Sequence, residues 1–241
     1  MPDGLRARAA AVQLIALAAL VPLAVAARAR LPLGAFYPVK SAACFILIAV
    51  IVVVFAGGGT HPFRQFGAAN QVTTARAMVV ALVAGAIGEP AAPAVAATAA
   101  GAGLAVTIMD GLDGWMARRS RMASPFGARF DMEVDAILIL ALAILTWQHG
   151  KAGPWVVLSG LLRYGFLAAG WMAARMRRPL PESRRRQTIC VVQIAGLLVA
   201  LEPVVMPGVS EWIAAAALVA LGYSFAVDTR WLLSDRREQV A

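Results

Sequence analysis

Eight apolar blocks decide what this chain can fold into, running roughly over residues 9–27, 41–56, 72–88, 91–112, 132–148, 154–174, 188–206 and 211–228. Several approach the ~20 residues that an α-helix needs to cross a bilayer. Within hydrocarbon every backbone N–H and C=O must find a partner inside the protein, so such runs fold as transmembrane helices. Composition agrees: 61% of the 241 residues are hydrophobic, 15% are charged, and the mean hydropathy is +0.74. A soluble domain carries roughly a quarter charged residues. The expected fold is an all-α integral membrane protein of about eight helices.

The net charge of +9 follows the membrane rather than a nucleic acid, for which the chain has no recognition motif. With the N-terminus inside, sixteen of the 22 Lys and Arg residues fall on the cytoplasmic side. Only Arg28, Arg30, Lys40 and Lys151 fall on the other, and Arg76 and Arg163 lie within helices. This bias obeys the positive-inside rule and places both termini and the loop after the fourth block in the cytoplasm. The expected location is the inner (cytoplasmic) membrane. Cys44 and Cys190 both sit in apolar segments, without the spacing of a disulfide framework or a zinc site. The N-terminal block, led by Arg6 and Arg8, ends at Arg28 and Arg30 with another apolar block close behind, and is read as a retained first helix. The breaker Gly57-Gly58-Gly59-Thr60-His61-Pro62 separates two N-terminal helices from a six-helix body. The stretch Phe63 to Phe66 after it is expected to form a small interfacial helix.

Acidic residues are scarce, yet four aspartates collect around the loop after the fourth block. Asp110 and Asp113 are three apart at the end of one expected helix, and Asp131 and Asp135 four apart at the start of the next. Each pair therefore shares a helix face. The short connection makes the two helices antiparallel neighbours, so four carboxylates converge at the cytoplasmic edge of the membrane. Carboxylates at membrane depth are costly and usually functional. Four together repel unless cations sit among them, and hard divalent ions such as Mg²⁺ or Mn²⁺ suit oxygen ligands and a phosphate-bearing substrate. Two such metals can clamp a pyrophosphate. Gly114 and Ala117 continue the same face with almost no side chain, leaving room for a ligand that Arg118 can meet at a phosphate. Interfacial caps and surface ion pairs would explain one such aspartate; they do not explain four at this spacing.

The run Asp-x-x-Asp-Gly-x-x-Ala-Arg, eight residues, then Gly-x-x-x-Asp-x-x-x-Asp, spanning residues 110–135, resembles the signature of the CDP-alcohol phosphotransferases without departure. Upstream, Asn70-Gln-Val-Thr73-Thr-Ala-Arg76 looks like the Asn-x-x-Thr-x-x-Arg that opens the first core helix in many members. The resemblance implies a six-helix catalytic membrane domain over 68–230, preceded by N-terminal helices and linker (1–67) and followed by a cytoplasmic tail (231–241). It implies that Asp110, Asp113, Asp131 and Asp135 hold two metals, that Gly114, Ala117, Arg118 and Gly127 line the CDP site with Thr73 close by, and that Asp135 is also the general base. A carboxylate is a reasonable base for an alcohol acidified by neighbouring cations. The partners implied are a CDP-activated lipid donor and a small polar alcohol, and a homodimer is the common assembly.

Arg163, inside the sixth block, is an intramembrane charge and hence a functional-site hypothesis, the alternative being an ion pair with an active-site aspartate or snorkelling. The run Arg184-Arg185-Arg186 offers either a contact for an acceptor or lipid phosphate or a topology anchor. Related phosphatidyltransferases carry a Gly-Lys-x-Lys-Thr-type stretch near this place, and its absence counts against glycerol phosphate as acceptor. His61 and His149 are isolated loop residues, and Trp147, Trp155, Trp171 and Trp212 fit an aromatic belt. The leading reading is phospholipid synthesis by transfer of a phosphatidyl group from CDP-diacylglycerol to a polar alcohol, with release of CMP. Its alternative moves a CDP-linked headgroup onto a lipid alcohol. An intramembrane prenyltransferase would keep its two Asp-rich motifs far apart, and a transporter would place its carboxylates near the midplane.

Overall fold

The computed structural model describes residues 2–56, 61–63, 65–120, 124–178, 180–181 and 183–234, with backbone only at 2, 3, 112–120, 174 and 177. Each apolar block is a helix: α1 (Pro2–Arg30), α2 (Tyr37–Ala56), α3 (Ala68–Gly85), α4 (Pro93–Ser120), α5 (Pro125–Gln148), α6 (Leu158–Met172), α7 (Arg184–Leu201) and α8 (Pro207–Leu233). Two 3-10 turns, Pro154–Val157 and Ala174–Arg177, flank α6. No strand occurs among the described residues.

Among the described residues, five stretches are long and apolar enough to cross a membrane: Gly4–Arg30, Tyr37–Ala56, Pro93–Gly111, Pro154–Met172 and Pro207–Leu233. The helices α3, α5 and α7 are not among them. They carry Arg76, the acidic run from Asp131 to Asp135, and Arg184 to Arg186 respectively. They also form the middle of the bundle: α3 packs on α1, α2, α4 and α5, while α7 packs on α4, α5 and α8. Charged groups in a membrane protein belong against other helices rather than lipid, and this arrangement keeps them there. Lipid tails are as apolar as leucine, so close backbone approach has to drive helix association. Small residues supply it. A Cβ on Gly160 would lie 2.6 Å from the Cα of Leu140 on α5, one on Gly103 would lie 2.7 Å from Leu198 on α7, and one on Gly196 would lie 3.0 Å from Ala217 on α8.

α4 and α5 do touch, but each packs more extensively against α3 than against the other. The antiparallel pair read from the short loop is therefore completed by a third helix, and that helix brings a basic residue to the aspartates. The expected interfacial helix at 63–66 is not seen among the described residues: 61–63 and 65–67 are non-helical. Side chains have taken carbonyls that a helical turn would need. His61 Nε2 lies 2.9 Å from the Gln65 carbonyl, and Asn70 Nδ2 donates to the Phe66 carbonyl at 2.5 Å. Gly67 then enters α3 with φ of 83°, a backbone conformation that glycine adopts without steric cost.

At the end of the bundle opposite the aspartates, buried polar groups tie the loops together. Glu89 pairs with Lys40 and accepts from the Gly34 N–H. Burial acts to raise its pKa, but the hydrogen bonds from Lys40 and Gly34 and the charge of Lys40 hold it below the ordinary glutamate value. Gln148 bonds both the Gly88 N–H and the Glu89 carbonyl at 2.7 Å. Lys151 Nζ reaches the carbonyls of Glu202, Pro203 and Val205 just past α7, where a cation complements the negative end of the helix dipole.

The two N-terminal helices are packed onto the rest of the bundle through α3. Gln13 of α1 is buried at 3% exposure and donates to Thr74 Oγ1 at 3.0 Å, while its own Oε1 has no partner among the described residues. Interhelical hydrogen bonds in membranes are worth about 0.6–2 kcal/mol. Gln13→Leu is expected to remove one and lower the thermal midpoint by about 2–4 °C per kcal/mol lost. A midpoint equal to wild type, measured in detergent, would mean that apolar packing alone holds α1 in place.

Candidate active site

The site is built on one face of α3 set against the first turns of α5. Asn70, Thr73 and Arg76 recur every three residues, so they line a single stripe. All three are buried, Arg76 completely. α3 and α5 run in parallel, since Asn70 stands beside Gly127 while Arg76, further along α3, reaches Asp131 and Asp135, further along α5.

The start of α5 is fixed by its cap. Ser124 adopts extended φ and ψ of −144° and 152°, its hydroxyl accepts from the Gly127 N–H at 3.1 Å, and Pro125 occupies the first helical position. His61 Nδ1 sits 2.8 Å from the same hydroxyl, and its ring packs edge-on against Phe63 and Phe126. The linker is thereby fastened to the end of α5 that carries the aspartates. A Cβ at Gly127 would lie 2.9 Å from Asn70 Oδ1 and 3.4 Å from Ser124 Oγ. Asn70 is itself pinned to Phe66, so glycine at 127 is what lets α3 and α5 approach here.

The structure brings Asp110, Asp131 and Asp135 together: each offers an oxygen, and these lie within 4.8 Å of one another. At that separation and an effective dielectric of about 20, each pair of carboxylates repels by about 3 kcal/mol. Arg76 offsets part of this. Its Nη1 lies 3.0 Å from Asp110 Oδ1 and also contacts Asp131 Oδ1, and its Nη2 lies 2.6 Å from Asp135 Oδ1. One guanidinium against three carboxylates leaves the described groups with a net charge of −2. The all-oxygen donor set, the close spacing and the residual negative charge fit Mg²⁺ or Mn²⁺. The side chains of Asp113, Gly114, Ala117 and Arg118 lie outside the described residues, though the α4 backbone carries them in helix through Ser120.

Thr73 is buried, and its hydroxyl donates to the Ala69 carbonyl at 3.1 Å. Arg163 pairs with Glu133 at 2.5 Å, so the ion pair that stood as the alternative to a functional role forms with a glutamate rather than with an active-site aspartate. Glu133 falls between Asp131 and Asp135 in sequence and so projects off their face. Arg185 and Arg186 both contact Asp228 of α8, and Arg185 also bonds the Ser224 carbonyl at 2.9 Å. These contacts join α7 to α8. Arg184 is exposed at the first turn of α7. Sequence reasoning assigned no role to Arg76, Glu133 or Asp228. For Arg76 the available signal was a charge inside a helix, three residues after Thr73.

A bundle of apolar helices with carboxylates gathered at one end, close enough to share divalent cations, is an arrangement that suits an integral membrane enzyme of phosphate-containing substrates. The family model for CDP-alcohol phosphatidyltransferase matches residues 66–223, more than half of the chain. The protein belongs to this family, and it is therefore a transferase of phosphate-containing groups in phospholipid synthesis. Comparison with curated proteins and with solved structures returned no match. The family uses divalent metal ions. Membership sets aside the prenyltransferase and transporter readings.

Proposed function

We propose that the chain transfers a phosphatidyl group from CDP-diacylglycerol to a small polar alcohol, releasing CMP, within a catalytic domain formed by residues 68–230. The observation that carries this reading is the convergence of Asp110, Asp131 and Asp135 inside the family's signature. In this mechanism Asp110, Asp113, Asp131 and Asp135 hold two divalent cations, and Gly114, Ala117, Arg118, Gly127 and Thr73 receive the CDP moiety. Bound there, the cations neutralise the diphosphate and stabilise the departing CMP. Asp135 accepts the proton of the acceptor hydroxyl. The acceptor oxygen then forms a bond to the phosphatidyl phosphorus as the bond from that phosphorus to the CMP oxygen breaks. Arg163, Arg184, Arg185 and Arg186 are the basic groups assigned to an acceptor or lipid phosphate.

The test is a substrate panel. Purified protein is given radiolabelled CDP-diacylglycerol with inositol phosphate, glycerol phosphate, serine and other alcohols, each with Mg²⁺ or Mn²⁺, and the lipid products are resolved. One acceptor is expected to give a labelled phospholipid and stoichiometric CMP. Labelled product only from a CDP-linked headgroup and a lipid alcohol would reverse the donor assignment.

The aspartate end of the bundle faces the cytoplasm in this proposal, because most basic residues gather there. On a background lacking Cys44 and Cys190, cysteine at Arg178 is expected to react with an impermeant maleimide only from the cytoplasmic side. Cysteine at Val204, 89% exposed beyond α7, is expected to react only from the opposite side. Reaction of both from one face would overturn the arrangement.

A further inference from the structure

The side chain of Arg76 has no exposed surface, whereas the three carboxylates it contacts are 19–36% exposed. The guanidinium therefore approaches them from the protein side, and it meets an Oδ1 atom of each: Asp110 and Asp131 through Nη1, Asp135 through Nη2. A single planar fork thus bridges α4 and α5 from α3. Lysine, a point charge on a flexible stem, reproduces the charge but not the span. Moving a fully buried guanidinium out of this position would strand it without hydration, which is expensive in any low-dielectric interior.

We propose that Arg76 is a positioning residue, a built-in counter-cation that keeps the metal-free site folded by holding Asp110, Asp131 and Asp135 together, with divalent cations taken up on the exposed side of the same carboxylates. The inference rests on the metal-site reading above and adds to it a second, protein-borne cation. Arg76 and the metals then compensate one set of negative charges, so each lessens the need for the other. The empty site pays most for loss of the arginine, and the loaded site pays least. An arginine that merely fills space would cost both states equally, and one that only contacts substrate would cost neither.

Thermal midpoints of the purified full-length protein in detergent, in EDTA and across a Mn²⁺ titration, separate these cases. Wild type is expected to rise with Mn²⁺. Arg76→Met is expected to fall by about 10 °C in EDTA, the scale set by breaking a buried ion pair in a chain of this size. In saturating Mn²⁺ less than half of that deficit should remain, and Mn²⁺ binding followed by electron paramagnetic resonance should be at least as tight as in wild type. Arg76→Lys keeps the charge and should show the same pattern at smaller amplitude, which preserves the test if the Met variant does not fold. An equal deficit with and without Mn²⁺, or none in EDTA, overturns the role of Arg76. A wild-type midpoint that ignores Mn²⁺ would instead count against the metal-site reading itself.

Discussion

Excess EDTA will abolish transfer by the purified protein, and Mg²⁺ or Mn²⁺ will restore it. The expectation comes from charge and geometry. Asp110, Asp131 and Asp135 place oxygens within 4.8 Å of one another, and among the described residues Arg76 contacts all three. The described groups keep a net charge of −2 where an anionic diphosphate has to bind. Two anionic partners at that distance repel by several kcal/mol at an effective dielectric of about 20. Arg76 does not resolve the conflict, since it is fully buried on the protein side of the carboxylates and already bonded to them. Divalent cations do resolve it, and the all-carboxylate donor set selects hard ions over soft ones. Turnover is measured with CDP-diacylglycerol and the acceptor found in the substrate panel, in chelator-treated buffer and after readdition of each metal. Undiminished turnover in metal-free buffer would remove the metal role from these aspartates.

Apolar runs located the eight α-helices found among the described residues, because crossing hydrocarbon leaves a chain no other way to pair its backbone. They located the helix ends poorly. The fourth and fifth apolar blocks stop near 112 and start near 132, whereas α4 runs to Ser120 and α5 begins at Pro125. Hydropathy reports the membrane-embedded part alone; the true start of α5 is set by the Ser124 cap and Pro125. In consequence Asp131 and Asp135 stand in the second and third turns of a helix rather than at its tip. The aspartate cluster itself was legible, since spacing of three and four dictates a shared face whatever the helix length. The motif on α3 was legible, and with it Thr73, but the contact of Arg76 with the aspartates was not. That Arg76 reaches carboxylates 34, 55 and 59 residues away depends on how α3 packs between α4 and α5. No local pattern encodes that packing. The same holds for Glu133 with Arg163 and for Asp228 with Arg185, where the partner of an intramembrane charge lies on another helix.

Asp135→Asn will remove nearly all turnover while weakening CDP-donor binding far less. Asparagine keeps the shape and one oxygen of the side chain but can neither accept the acceptor's proton nor bind a cation as a carboxylate does. Loss of a general base costs about 10²–10⁴ in rate, and loss of a metal contact adds to it. Donor binding persists in this account because Asp110, Asp113 and Asp131 remain to hold metal. A purely structural role by helix capping does not fit the fold. Ser124 caps α5, and Asp135 sits well inside that helix, 19% exposed and 2.6 Å from Arg76. The structural alternative that remains is a counter-ion for Arg76. In that case the substitution would weaken a buried ion pair, lowering the thermal midpoint, and turnover below the new midpoint would stay close to wild type. The general-base role predicts the reverse, a large fall in kcat well below any melting. Measuring kcat, CDP-donor affinity and thermal midpoint on one preparation separates the two. Turnover above about a tenth of wild type, against base effects of about 10²–10⁴, would take the proton-accepting role away from Asp135.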